Sequence, residues 1–435
     1  MSISIPSRPL RRVLPVLVFS LLCIVIVPVC ASDVATATDT HALVDALRSQ
    51  AMPISIKNGM LEGQGAQWIA RESANAQFVL VGEDHGMAES PQFTTALWQS
   101  RKSNRFEHLV IETGPRAASA LEDAAKNNDG GIEKLNARFP TAIPFFNWRE
   151  DGTMASTAVR DSKKPGALWG VDQEFVLSGR MLFRELSLLA PNTSGRKIAN
   201  EYATRDDDLY RKMVAQRDSG ATLLTQLKPG DFLRLRSAFA RSPKAMELIG
   251  DLETSAAIYR ADHDGDPSSN IARSQLMKRN FMRAYRSAQR SGSVQPHALF
   301  RLGAFHAGRG LSPLGVFDLG NLASELAQSN GKTSLHLLVL ASGGEANRWF
   351  PFAPEVAAKR TNYNAAEELS VIGAQPLLDA ADHTQWTLIP LASLRSHSEL
   401  RRAGGAKFER LVYAYDAVIL VPVAHAATLY DNSPH

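Results

Sequence analysis

Short runs of consecutive apolar residues, each closed by Gly and charged side chains, recur along this chain and alternate with stretches of helical periodicity. The runs fall at residues 78–81, 108–111, 167–171, 298–305, 335–340 and 417–423. A run that is apolar at every position has no solvent face, so it predicts a strand covered on both sides. Between about 180 and 290 no such run occurs, and charges recur among apolar residues at helical spacing. There Arg279, Arg283 and Arg286 fall among Met277, Phe281 and Tyr285, as on an amphipathic helix. The pattern predicts an α/β fold: a mostly parallel central sheet flanked by helices, with a helical insertion over about 180–290. No internal repeat or low-complexity linker interrupts it, so residues 32–435 read as a single domain.

The first 31 residues change the picture of charge and redox chemistry. Arg8, Arg11 and Arg12 precede an almost wholly apolar stretch over 13–29, and Val29-Cys30-Ala31 offers small residues at a cleavage position. This is the pattern of a secretory signal peptide cut after Ala31, which predicts a periplasmic or secreted protein. The apolar stretch is nearly long enough to span a bilayer, so a retained anchor is the alternative. A lipoprotein signal fits less well, because Leu22 and Val29 precede Cys23 and Cys30. Both cysteines lie in this segment, so the mature chain has no disulfide, thiolate nucleophile or Cys-ligated metal. The formal charge of +4 loses three arginines with it. The remaining balance is near neutral and gives no reason to expect a nucleic-acid partner. No other segment is long and apolar enough to cross a membrane.

Candidate chemistry gathers where the apolar runs end. The first run leads into Gly82-Glu83-Asp84-His85-Gly86, the second into Glu112-Thr113-Gly114-Pro115, the third into Asp172-Gln173-Glu174 and the fourth into His306-Ala307-Gly308. Parallel strands present their carboxyl ends on one rim, where sites of open α/β sheets form. Glu83, His85, Glu112, Asp172 and His306 are therefore expected to converge. Glu83 and His85, two residues apart on extended chain, share a side, and a carboxylate beside an imidazole orients it and raises its basicity. Asn147-Trp148-Arg149-Glu150-Asp151-Gly152 reads as a polar loop in which Arg149 is a candidate to bind an anionic group or an oxyanion. Arg273, Met277 and Asn280 share helical spacing toward the same rim, with Met277 reading as core.

Other chemistries are not supported. Asp262-His263-Asp264-Gly265-Asp266 has the look of a calcium loop, but Pro267 stands where an EF-hand needs Gly and Arg273 where it needs Glu. It reads as a turn between helices. There is no Gly-x-Ser-x-Gly elbow, His-Glu-x-x-His, Walker loop or Gly-x-Gly-x-x-Gly. Residues 34–40 read as a loose N-terminus of the mature chain.

The motifs Val81-Gly82-Glu83-Asp84-His85-Gly86, Val110-Ile111-Glu112-Thr113-Gly114, Gly170-Val171-Asp172 and Gly303-Ala304-Phe305-His306-Ala307 resemble those of the erythromycin esterase superfamily. Its broad group takes in ChaN-like haem-binding proteins and TIKI-type metalloproteases. The helical stretch with Arg273, Met277 and Asn280, and Leu319-Gly320-Asn321-Leu322, resemble the esterase branch. The resemblance implies an α/β core with a helical lobe, His85 as general base, Glu83 as its orienting partner, Glu112 and Asp172 lining the site, and His306 as second histidine. One residue separates Glu83 from His85, where the esterases have two, and this spacing is closer to the ChaN-like pattern. The expectation is a hydrolase attacking an ester or related acyl bond of a small molecule. Its alternatives are a haem- or ligand-binding protein without catalysis, and a peptidase holding a divalent metal on His85, His306 and Glu83. A haem reading needs an exposed axial ligand, which the sequence does not assign.

Overall fold

The structure, a computed structural model, describes residues 37–101, 105–127, 130–162, 164–216, 222–347 and 360–430. The signal-peptide pattern, with Arg8, Arg11, Arg12, Cys23 and Cys30, lies outside the described residues.

Eight strands form the central sheet: β1 (Met52–Pro53), β2 (Ala76–Glu83), β3 (His108–Ile111), β4 (Leu168–Gly170), β5 (Ala298–Gly303), β6 (Thr333–Ala341), β7 (Thr387–Pro390) and β8 (Ala417–Val421). Their order across the sheet is β1-β7-β8-β6-β2-β5-β3-β4. From β8 to β4 every neighbouring pair is parallel, and only β7 pairs antiparallel, with β8 and β1. The fold is α/β. The apolar runs supply the parallel strands: Phe78, Val79, Leu80 and Val81 are fully buried, as are Leu337 to Leu340 and Ala417 to Ile419. The two antiparallel strands β1 and β7, neighbours at one side of the sheet, did not register as runs because each is short and ends in Pro, which cannot donate to a ladder.

Two local readings differ from the sequence expectation. Residues 37–40 are not loose chain but open a helix, Ala37–Ser49, which buries Leu43, Val44 and Leu47 at helical spacing. The run at 298–305 is a strand only to Gly303; Ala304–Ala307 is a helical turn, so His306 projects from a turn rather than from extended chain.

Between β4 and β5 the described residues form helices and no strand: Gly179–Leu188, Thr193–Gln216, Leu223–Gln226, Pro229–Phe239, Pro243–His263 and Ser268–Arg290. The last of these lies against the sheet. Phe281 meets Phe78 edge-on at 5.7 Å and Phe300 at 5.3 Å, and Trp169 at 5.8 Å, while Tyr285 meets Phe78 at 6.2 Å. This aromatic cluster fixes the helix in register with the strands. It thereby determines where Asn280, the residue before Phe281, and Arg273, about two turns further toward the rim, are held. Asn280 Nδ2 donates to the carbonyls of Val171 and Asp172 at 3.0 and 3.1 Å, tying helix to strand end.

Candidate active site

β2, β5, β3 and β4 are consecutive neighbours, so the groups at their carboxyl ends lie side by side. Register sets Glu83 against Gly303 across β2 and β5. β3 pairs Ile111 with Arg301 of β5 and with Gly170 of β4, so Glu112 and Asp172 follow directly. The structure brings Glu83, His85, Glu112, Asp172 and His306 into one cluster.

After Glu83 the chain must turn at once to fold His85 back over it. Gly86 permits that turn: its φ is 99°, and a Cβ there would sit 2.1 Å from the Asn347 carbonyl oxygen. His85 Nδ1 lies 2.6 Å from Glu83 Oε1, so it donates its proton there and leaves Nε2 as the free basic atom. Ser90, in the first turn of the helix Glu89–Ser100, donates to the other oxygen of Glu83. Burial works against a charged Glu83. The Arg301 guanidinium, followed by His85 and Ser90, overcomes it and holds the carboxyl below its ordinary value.

A second pair mirrors the first. His306 Nδ1 donates to Asp318 Oδ2 at 2.7 Å, and Asp318 Oδ1 accepts the Leu319 amide at the start of the helix Leu319–Ser329. Both imidazoles then aim Nε2 at the carboxylate of Glu112: His85 at 3.7 Å from Oε2 and His306 at 3.6 Å from Oε1. These gaps are too long for direct hydrogen bonds and suit a bridging water or substrate oxygen. Gly303 leaves room for His85, because a Cβ at that position would lie 2.9 Å from Nε2. The two histidines differ in access: the His85 side chain is 23% exposed and that of His306 only 6%.

The electrostatics follow from these distances. Burial pulls His85 down, but its bond to Glu83 and the charges of Glu112 and Glu83 outweigh it, so His85 titrates above its ordinary 6.5. His306 is likewise raised, with burial opposed chiefly by the charge of Asp318. Glu112 is buried too, yet His306, His85, Arg273 and the Gly303 amide hold it at about 2. Arg273 clamps two strand ends together. Its Nε and Nη2 reach Asp172 at 2.9 and 2.7 Å, and Nη2 reaches Glu112 Oε1 at 2.9 Å.

Beneath the cluster, Arg301 of β5 lies between Glu83 and Asp151 at 2.6 and 2.7 Å, all three fully buried. The contacts are off the hydrogen-bond axes and act as close ion pairs. Burial drives Asp151 up to about 7 against the pull of Arg301. Over the top, Phe145 stacks on His85 with ring centres 4.0 Å apart and an 18° interplanar angle. Its φ of 68° is a left-handed conformation rarely taken by an aromatic residue.

Arg149 is placed differently from the rest. It opens the helix Arg149–Asp161, pairs with Glu133 at 3.6 Å and lies over the Tyr430 ring. The guanidinium groups that touch the cluster are those of Arg273 and Arg301. Arg301, Asp151, Asp318, Ser90 and Phe145 escaped the sequence reading. Arg301 had left a signal, since a charge inside an otherwise apolar strand must find a buried counter-charge.

The donor set does not suit a metal. Glu112 is committed to Arg273 and the Gly303 amide, Asp172 to Arg273, and Glu83 to His85, Arg301 and Ser90. Only two imidazole nitrogens remain, and a divalent cation would compete with Arg301 for Glu83 and with Arg273 for Glu112 and Asp172. Among the described residues no group of three or more His, Cys, Asp and Glu is arranged to hold a metal ion.

Fold and site together define an α/β protein with a paired histidine–carboxylate cluster on the rim of a parallel sheet. Solved structures with this fold include a mutant of the erythromycin esterase EreC in its open conformation, at TM-score 0.55 and 16% identity, covering 84% of this chain and 95% of that one. A succinoglycan biosynthesis protein matches at TM-score 0.56 and 12% identity, covering 90% of this chain and 99% of that one. A Bacillus cereus protein matches at TM-score 0.51 and 13% identity with the same coverage. No family model matches the sequence, and no curated protein does. The likeness is one of fold, and it is the fold that the chain's motifs imply.

Proposed function

We propose that this chain is an exported hydrolase of the erythromycin esterase-like superfamily, acting on an ester or related acyl bond of a small molecule. The observation that carries the proposal is the Glu83–His85 pair. Its 2.6 Å bond fixes the tautomer, and Nε2 is free and faces a buried carboxylate in the more accessible half of the cluster. In the reaction, His85 Nε2 takes a proton from water as the water oxygen bonds to the acyl carbon. The carbonyl electrons move onto oxygen, where the protonated His306, held by Asp318, stabilises them. Collapse expels the alcohol, which leaves with the proton from His85. The likeness in fold to an erythromycin esterase supports this reading, as does the commitment of the carboxylates to arginines, which favours water activation by histidine alone. Export rests on the pattern of residues 1–31, with a mature protein from Ser32.

The test is hydrolysis of a panel of aryl, alkyl and macrolide esters by the parent and by His85→Ala. The proposal expects a loss of about 10²-fold or more in kcat/KM with an unchanged thermal unfolding curve. Full activity in the variant would refute it, as would a parent inactive on every acyl substrate.

A further inference from the structure

The helix Ser268–Arg290 contains six Lys and Arg in 23 residues and no carboxylate. The asymmetry extends beyond it. The chain carries 44 Asp and Glu among 435 residues, yet none falls from 268 to 317. Arg273 is turned inward to the cluster. The others lie on the outer side, where Lys278, Arg279, Met282, Arg283, Arg286 and Arg290 line a shallow groove of about 580 Å³. Arg283 reaches Asp251 at 3.5 Å; among the described residues Arg279, Arg286 and Arg290 have no carboxylate at ion-pair distance. Holding so many like charges along one helix is unfavourable in isolation.

An apolar ridge runs beside the basic one. Ile271 is about half exposed, and at 100° per residue it lies within about 20° of Lys278 and Met282 on the helix surface. The 308–317 loop adds Leu311 and Phe317, also about half exposed and joined by an isolated bridge. Ser274 and Lys278 both donate to the Phe317 carbonyl, which pins this loop against the helix.

We infer that this face docks on an anionic lipid surface, with the arginines at the headgroups and Ile271, Leu311 and Phe317 entering the acyl boundary. Charge complementarity selects an anionic partner. The adjoining half-exposed apolar side chains select a bilayer over a soluble polyanion, which would gain nothing from them. A second copy of the chain is disfavoured, since a two-fold contact would oppose the basic rows. The docked loop is the one that joins His306 to Asp318, so docking brings that side of the cluster to the lipid.

The experiment is co-sedimentation of the full chain with vesicles of equimolar phosphatidylglycerol and phosphatidylcholine, and with phosphatidylcholine alone. The parent is compared with Arg279→Glu/Arg286→Glu/Arg290→Glu and with Leu311→Ser/Phe317→Ser. All five positions are exposed, and the N-terminal apolar stretch is common to every sample, so differences between variants report this face alone. Binding to the anionic vesicles should fall about tenfold or more in the charge variant, weaken with salt, and fall in the apolar variant too. Unchanged binding in the charge variant would overturn the inference. So would heparin binding that depends on the arginines while vesicle binding ignores Leu311 and Phe317. Because the readout is binding, failure here leaves the hydrolase reading standing, and the reverse also holds.

Discussion

At the scale of single residues, the cluster is a set of groups whose burial alone would neutralise them and whose neighbours keep them charged. His85 is the sharpest case. Burial favours the neutral ring, yet Glu83 and Glu112 hold it protonated to a pH above 6.5. A general base acts only when neutral, so activity should rise as pH climbs through that raised value and fall again where His306, which must stay protonated, loses its proton. Replacing Glu83 by Gln removes the charge at Nδ1 and makes the imidazolium less favourable. The rise should then move to lower pH, and the maximal rate should fall because a weaker base accepts the proton. Had Glu83 only a structural role, the rate would drop with the profile unmoved.

At the scale of elements, the helix Ser268–Arg290 and two strand ends hold one another through Arg273. Removing its side chain strands Glu112 and Asp172 as buried charges without their cation. Arg273→Ala should therefore cost about 3–5 kcal/mol in urea unfolding. Arg273→Lys, which keeps the charge but loses the two-pronged contact with Asp172, should fall between it and the parent. An equal loss in both would show that geometry, not charge, is what the helix supplies. This scale also explains what the sequence could reveal. Glu83, Glu112 and Asp172 directly follow apolar runs, so local pattern located them, and parallel pairing then implied their meeting. Asp318 lies twelve residues beyond its partner His306, across a loop with no periodicity, and Asp151 sat in what read as a polar loop. Their roles come from tertiary contacts that leave no local pattern. The antiparallel strands β1 and β7 were invisible for a different reason, being too short to show an alternation.

At the scale of the whole molecule, the last described residues return to the site. Ala88 donates to the His425 carbonyl at 2.8 Å, Ala427 to Gly86 at 2.9 Å, Arg149 to Thr428 at 2.7 Å and Tyr430 to Asn147 at 3.1 Å. This strap bonds both the loop that aims His85 and the one that carries Phe145 and Arg149. Truncation after Val423 should leave the sheet intact and loosen these two loops. Limited proteolysis should find new cleavage around 84–88 and 145–150, and hydrogen exchange should show lost protection there. Protection unchanged at both loops would mean that the strap merely rests on the surface.

The proposed hydrolysis stands or falls with His85 as a base tuned by Glu83. The most direct measurement is the pH dependence of kcat/KM for the best ester of the panel, in the parent and in Glu83→Gln. The parent should show an acid limb above 6.5. In the variant that limb should lie at lower pH, with a reduced maximum. A parent profile flat through this range, or a limb that stays in place when Glu83 is replaced, would contradict it.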